Sequence, residues 1–234
     1  MQYKVLITTS GTGSRLGDLT KDTNKALVDV SGQTTIDRII GMYGVDTEFV
    51  VTLGYYGDKV KQHLLSQHPD RTFTFALVDK FVGEGSSLGY SMLQAREHLQ
   101  CPFIFHATDT LVTGEVPTGV KNWIGVYKSA DATQYSSWKI GENGELLFQG
   151  RDAKDADFIH IGLIGISDYK MYWDELAALY ASNPNDQSLN DCKVLVQMIQ
   201  NGVTFELVEF FDWCDTGNLP ALEKTRHYFS SVKQ

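Results

Sequence analysis

Tyr3-Lys4-Val5-Leu6-Ile7-Thr8-Thr9-Ser10-Gly11-Thr12-Gly13-Ser14-Arg15-Leu16 is the stretch on which the reading of this chain turns. Tyr3 to Ile7 is a short apolar run with the branching of a buried strand. Thr8 to Leu16 follows at once as a glycine loop. Glycine has no Cβ, so backbone N–H groups in such a loop can approach a phosphate closely. Arg15, and Lys25 in Asn24-Lys25-Ala26-Leu27, supply the fixed positive charge that a polyphosphate needs. Thr9, Ser10, Gly11, Thr12, Gly13 and Ser14 are therefore candidate nucleotide contacts, and Arg15 and Lys25 candidate catalytic cations. A glycine pair alone reads equally well as an ordinary tight turn; Lys25 and two carboxylates further on weigh against that.

Two familiar glycine loops do not fit. The dinucleotide fingerprint needs a third glycine where Leu16 stands, and Gly17 comes one residue late. The P-loop needs a Gly-Lys pair, which the chain lacks.

The chain has 234 residues, 42% of them hydrophobic, enough for a packed core. We find no repeat, low-complexity tract or linker, and expect one domain over 1–234, with 1–115 holding a nucleotide and 116–234 a second substrate. No apolar stretch reaches the roughly 20 residues of a membrane span. The N-terminus reads as strand and loop rather than secretory signal. A net charge of −9 with no long basic run argues against nucleic-acid binding and fits a local anion site. Cys101, Cys192 and Cys214 have no zinc or redox spacing and read as reduced thiols of a cytoplasmic protein.

Strands and helices alternate through the first half. Strands are predicted at Glu48–Leu53, Phe73–Val78 and Pro102–Ala107, with helices through Val60, Leu64 and Leu65, and through Leu88, Met92, Ala95 and Leu99. This implies parallel strands with right-handed crossovers, and ligands beyond their carboxyl ends. The second half is less regular. Short strands are predicted at Trp123–Val126, Ser137–Ile140 and Leu146–Phe148, a long central strand at Phe158–Ile166, and a strand near Val203–Val208. Helices are predicted around Met171–Ala181, over Leu189–Gln200 and from Leu219.

Asp109 directly follows the Phe103–Ala107 strand and so faces the same sheet edge as the glycine loop. Asp215, in Asp212-Trp213-Cys214-Asp215-Thr216-Gly217, lies just before a helix. Two such carboxylates are candidate ligands for Mg²⁺, which takes one or two protein carboxylates together with substrate phosphates. Either can instead be a capping Asp, and Asp212 competes with Asp215. Gly85 and Ser86 lie in a second small-residue loop that either reads the edge of a flat base or simply caps a helix with Ser. Arg151 and Lys154 are candidates for gripping a second phosphorylated substrate, or a solvated charged loop. His106 and His160 read as packed or hydrogen-bonded histidines, and Trp123, Trp138 and Tyr135 as core or pocket wall.

Taken together these residues resemble the nucleotidyltransferases that couple an NTP to sugar-1-phosphates or small phosphoalcohols. Gly11-Thr12-Gly13-Ser14-Arg15 and Asn24-Lys25-Ala26-Leu27 are similar to that family's G-x-G-[ST]-R and (P)-K-x-L signature. Asp109 matches its first metal aspartate, with Thr108 in place of the usual Gly, and Trp213 to Gly217 resembles the W-x-D-x-G block that carries the second. Gly85-Ser86-Ser87 falls at the family's base-reading loop, and Gly162 where a glycine approaches the acceptor. The Lys-Pro pair is Asn24-Lys25, and the Glu-Lys-Pro triplet of sugar-specific members is missing, with Gly150-Arg151-Asp152 roughly in its place.

The resemblance implies a three-layer α/β/α fold with a mixed, mostly parallel sheet, like the nucleotide-diphospho-sugar transferases. It implies an Mg²⁺-dependent enzyme that releases pyrophosphate, with Asp109 and Asp215 as metal ligands and Arg151, Lys154 and Gly162 toward the acceptor. Compact length and the missing triplet favour CTP over UTP, as in short cytidylyltransferases for phosphocholine-like molecules or surface glycans. A GT-A glycosyltransferase, which normally shows Asp-x-Asp where this chain has Thr108-Asp109-Thr110, and a non-catalytic nucleotide-binding module are the alternatives. A Rossmann oxidoreductase is the weakest rival.

Overall fold

The computed structural model describes residues 2–129 and 133–231. Val5, Leu6 and Ile7 are completely shielded from solvent, because β1 (Lys4–Thr8) runs through the middle of a sheet covered on both faces. A strand buried on both sides must be apolar continuously rather than alternately, as this one is. Each such side chain contributes about 1.5–3 kcal/mol by leaving water.

After β1 come α1 (Thr35–Gly41), β2 (Glu48–Leu53), α2 (Gly57–Gln67), β3 (Thr72–Leu77), α3 (Leu88–Leu93), β4 (Phe103–Ala107) and β5 (Thr110–Val112). The second half holds β6 (Trp123–Tyr127), β7 (Ser137–Ile140), β8 (Leu146–Gly150), β9 (Phe158–Ile166), α4 (Tyr169–Ser182) and α5 (Asp191–Gln200). It ends with β10 (Glu206–Glu209), β11 (Trp213–Asp215) and α6 (Leu219–Ser231). The main sheet runs β10-β6-β9-β4-β1-β2-β3, with β7 and β8 attached along β9. β3, β2, β1 and β4 are mutually parallel, whereas β9 runs antiparallel to both β4 and β6. The expected mixed, mostly parallel sheet between helical layers is therefore the observed architecture.

Val5, Ile7, Phe49 and Val51 face one layer with Ile36, Ile39, Val60 and Leu64 of α1 and α2. Leu6, Val50 and Phe105 face the other, with Met92, Leu99, Tyr172, Trp173 and Leu176. Phe103 stacks on Trp173 at 5.0 Å between ring centres, which fastens α4 to β4. Truncating a side chain such as Leu6 to Ala removes contacts on a fully packed face, at about 2–5 kcal/mol.

Several segments differ from the sequence reading. The helix expected through Leu99 ends at Leu93 and resumes as a short 3-10 turn at Arg96–His98, which keeps Ala95 and Leu99 in the core. The strand expected near Val203 starts at Glu206, because the Val203 N–H is taken by the Met198 carbonyl at the end of α5. α1, β5 and β11 were not expected from pattern; β5 and β11 are three residues each, too short for a periodicity.

β1 has β2 on one side and β4 on the other, so the order of strands reverses beside it. In such sheets the crevice at the reversal point receives ligands. The register pairs Thr8 with Ala107, so the glycine loop and the Asp109 turn leave the same edge side by side.

Candidate active site

The glycine loop continues into a 3-10 segment, Ser14–Thr20, rather than an α-helix. Gly13 holds φ 66°, and a Cβ on it would lie 2.9 Å from Lys25 Cβ. Glycine is thus needed there to let the Lys25 stem pack under the loop. At Gly11 a Cβ would meet nothing within 4 Å, so its backbone borders open space. Asn24 fixes the approach to Lys25: its side-chain amide donates to the Thr9 and Tyr55 carbonyls at 2.7 and 2.6 Å, while its oxygen accepts from Ala26 N–H. An Asn can do this and a Pro cannot, and Asn24 stands where the (P)-K-x-L signature has its Pro.

Lys25 Nζ reaches Asp109 Oδ2 at 3.2 Å, and an Arg15 guanidinium nitrogen lies 3.6 Å from the same oxygen. Arg15 is largely exposed, at 63% of its side chain, against 20% for Lys25 and 24% for Asp109. Asp109 sits in the turn between β4 and β5, held on three sides. Thr108 Oγ1 donates to the Thr8 carbonyl, Thr216 N–H donates to the Asp109 carbonyl at 2.9 Å, and His106 Nε2 bonds the Thr110 carbonyl at 2.8 Å. β11 pairs antiparallel with β5, Asp215 opposite Thr110, which brings the second carboxylate alongside the first.

Gly217 marks where they meet. A Cβ on it would lie 2.9 Å from Asp215 Oδ1, 3.0 Å from Asp109 Oδ2 and 3.1 Å from Arg15. Both aspartates and the arginine therefore converge on one point. Asp212, the competitor, turns away and accepts from Thr113 Oγ1 at 2.9 Å.

The two carboxylates differ in proton affinity. Burial pushes Asp109 up, but the Lys25 ammonium and then Arg15 more than offset it and hold the carboxyl below its ordinary value. Asp215 is raised, by burial first and by the Asp109 charge second, against hydrogen bonds from Gly217 N–H at 2.6 Å and Tyr135 Oη at 2.9 Å. The convergent pair of carboxylate oxygens, one short of a countercharge, is the donor set expected for a hard divalent cation.

Two clefts flank the pair. The first, about 410 Å³, is lined by Ser10, Gly11, Lys25, Ser86, Ser87 and Asp109, with Phe81 and Gln187 as further walls that the sequence reading did not pick out. The second, about 500 Å³, contains Asp215, Tyr135, Trp213, Asn218, Lys224 and Tyr228. Gly85 adopts φ 78° beside the first cleft's Ser86, and Ser87 caps α3 by accepting from Tyr90 N–H. The capping reading of that loop is thus observed.

Other expected residues lie elsewhere. Thr9 is fully buried, bonded to the Thr52 carbonyl, and forms no part of either lining. Arg151 and Lys154 are exposed in the β8–β9 loop and line neither cleft. Gly162, at φ 71°, lies against Ala107: a Cβ there would come within 2.7 Å of Ala107 Cβ. Lys224 in the second cleft was missed, for a lone lysine on a C-terminal helix carries no pattern. Cys214 lines that cleft half-buried, and the three cysteines are free. His160 is packed as expected, between Asp191 at 2.7 Å and the Trp138 indole. No helix among the described residues is long and apolar enough to cross a membrane.

No protein-family model matches this chain. A stretch of 128 residues is 31% identical to a probable glucose-1-phosphate cytidylyltransferase of Bacillus subtilis, covering 52% of this chain and 46% of that protein. Among solved structures, a putative glucose-1-phosphate thymidylyltransferase from Bacillus anthracis superposes with a TM-score of 0.78 at 18% identity, over 97% of this chain and 94% of that one. The fold is that of the sugar-phosphate nucleotidyltransferases. A CTP:phosphocholine cytidylyltransferase from Streptococcus pneumoniae superposes with a TM-score of 0.75 at 17% identity, covering 98% of this chain and 100% of that one. The match to the Bacillus subtilis protein spans under half of that protein's length.

Proposed function

We propose that this chain is a nucleotidyltransferase that couples an NTP, CTP before UTP, to a small phosphorylated acceptor and releases pyrophosphate. The observation that carries the reading is the convergence of Asp109, Asp215 and Arg15 on Gly217, beside Lys25 and between two clefts. The 31% identity to a cytidylyltransferase supports the same chemistry.

In this reading residues 1–115 hold the nucleotide in the first cleft, where Ser10 to Ser14 cradle the triphosphate and Gly85 and Ser86 border the base. The acceptor enters from the side of residues 116–234. One of its phosphate oxygens attacks the α-phosphorus in line; the new P–O bond forms as the bond to the bridging oxygen breaks, and pyrophosphate leaves with that electron pair. The nucleophile is already an anion, so no general base is needed. Catalysis rests on positioning and on charge neutralisation. Lys25 serves the α-phosphate, and Arg15, the more exposed cation, the β and γ phosphates. Asp109 and Asp215 would hold Mg²⁺, which supplies neutralisation of the charge on the transferring group. Arg151 and Lys154, the candidates from the sequence for the acceptor phosphate, stand in the β8–β9 loop outside both clefts. Lys224 is their rival, since it shares a cleft with Asp215 and they do not.

A matrix of NTPs against sugar-1-phosphates, polyol phosphates and phosphocholine, read by pyrophosphate release with Mg²⁺, tests the proposal. Acceptor-dependent release in one row supports it. Sugar transfer from a nucleotide-sugar without pyrophosphate supports the glycosyltransferase instead, and tight NTP binding without turnover a binding module.

A further inference from the structure

His106 is a buried polar side chain in the middle of a strand, three residues before Asp109. Its two ring nitrogens have different partners. Nε2 lies 2.8 Å from the Thr110 carbonyl, which can only accept, so Nε2 carries the proton. Nδ1 therefore presents a lone pair, and the Tyr43 hydroxyl, 2.7 Å away, donates to it. Tyr43 follows α1 and is itself buried, packed edge-on against Phe49 and against the His106 ring. Burial holds His106 neutral, with its pKa pushed down to about 4. The imidazole thus closes a loop over the Thr108-Asp109 turn from below, bonding back across four residues to the carbonyl of the residue that follows Asp109. Thr110 is tied twice more, by its hydroxyl to the Ile161 carbonyl and by pairing with Asp215. Hence Thr110 joins the two carboxylate-bearing segments.

We propose that Tyr43 and His106 form a positioning relay: the Tyr43 hydroxyl, donating to Nδ1, fixes the orientation of the His106 ring, and His106 fixes the Thr110 carbonyl and with it the Asp109–Asp215 separation. A hydrophobic residue would fill the same space more cheaply, because a buried imidazole needs both nitrogens satisfied. The polar pair is explained if the turn must be held in one conformation. The role attached to that separation rests on the nucleotidyltransferase reading; the tautomer and the restraint on the turn do not.

Outer hydrogen-bond partners of this kind typically contribute 10- to 100-fold to activity. His106→Leu, which packs but cannot donate, should lower kcat by about that much and leave the NTP KM nearly unchanged. His106→Gln, which restores a donor to Thr110, should recover most of the loss. Tyr43→Phe should lower kcat less, and NMR of the imidazole nitrogens should keep the Nε2–H tautomer while the Nδ1 resonance shifts with the loss of its hydrogen bond. Amide exchange at Asp109 and Thr110 should quicken in both His106→Leu and Tyr43→Phe. The relay is overturned if the wild-type proton sits on Nδ1, or if His106→Leu lowers Tm while kcat and amide exchange stay as in the wild type. Should His106→Leu fail to fold, Tyr43→Phe decides by the Nδ1 shift and by exchange: quickened exchange at Asp109 and Thr110 supports the relay, and unchanged exchange overturns it. If the expected tautomer and exchange are found but the wild type releases no pyrophosphate with any acceptor, the relay stands and the nucleotidyltransferase reading falls.

Discussion

The turn after β4 and the end of β11 each present one aspartate to the same point, yet they are built in opposite ways. Asp109 arrives with two cations, Lys25 and Arg15, and is held ionised. Asp215 arrives with a phenol, a backbone N–H and the Asn218 amide, and its proton affinity is raised. The difference teaches that the first carboxylate anchors the site through charge already present in the chain. The second is positioned by neutral donors, with Arg15 offsetting its charge only in small part, and a cation between the two would supply the rest.

The comparison breaks most severely if Asp109 is neutralised. Asp109→Asn should cost about 10²–10³ in kcat in the pyrophosphate assay, as for loss of a group aimed at developing charge. It also frees Lys25 from its partner, so nucleotide binding should survive. Lys25→Ala should likewise lower kcat far more than it raises the NTP KM; a loss confined to KM would remove its catalytic role.

Asp215→Asn sharpens the contrast by separating function from stability. Asp215 has a folded pKa above its ordinary 3.8, so its ionised form opposes folding at neutral pH, and that opposition fades as pH falls through the raised value. Without metal, Asp215→Asn should therefore be more stable than the wild type in denaturant unfolding at pH 7, a common trade between stability and activity. The gain should vanish below pH 3.8, where the wild type is protonated too. Turnover should collapse in the same variant. In the wild type, kcat/KM should decline on the acid side as Asp215 takes up its proton, while Asp109 stays charged.

The smallest effect concerns the acceptor. Lys224→Ala should raise the acceptor KM several-fold with kcat nearly intact, more than Arg151→Ala or Lys154→Ala does, because Lys224 alone of the three lines a cleft with Asp215. The reverse ranking would return the acceptor phosphate to the β8–β9 loop.

Much of the fold was legible, for a local reason. β1, β2 and β4 are buried on both faces and read as mainly apolar runs, interrupted within β2 and β4 only by Thr52 and His106, and β9 is read at its observed limits. The edge that carries the first cleft followed, since the glycine loop and Asp109 lie just beyond the ends of such strands. β5 and β11 were not legible, because three residues carry no period and their pairing joins positions about a hundred residues apart. Consequently the sequence indicated that Asp109 and Asp215 both matter, but not that Gly217 is where they meet. The buried Tyr43–His106 pair was readable only as a packed histidine, because its hydrogen bonds depend on where α1 docks. Lys224 offered no signal for the same reason: one exposed lysine resembles any other until a cleft forms beside it.

Product analysis with the preferred NTP, its acceptor and Mg²⁺ tests the central claim most directly, with wild type, Asp109→Asn and Asp215→Asn run side by side. The account predicts one pyrophosphate and one nucleotide–acceptor conjugate per acceptor consumed in the wild type, and neither in the two variants. Full conjugate formation by either variant, or consumption of NTP without a conjugate in the wild type, would contradict it.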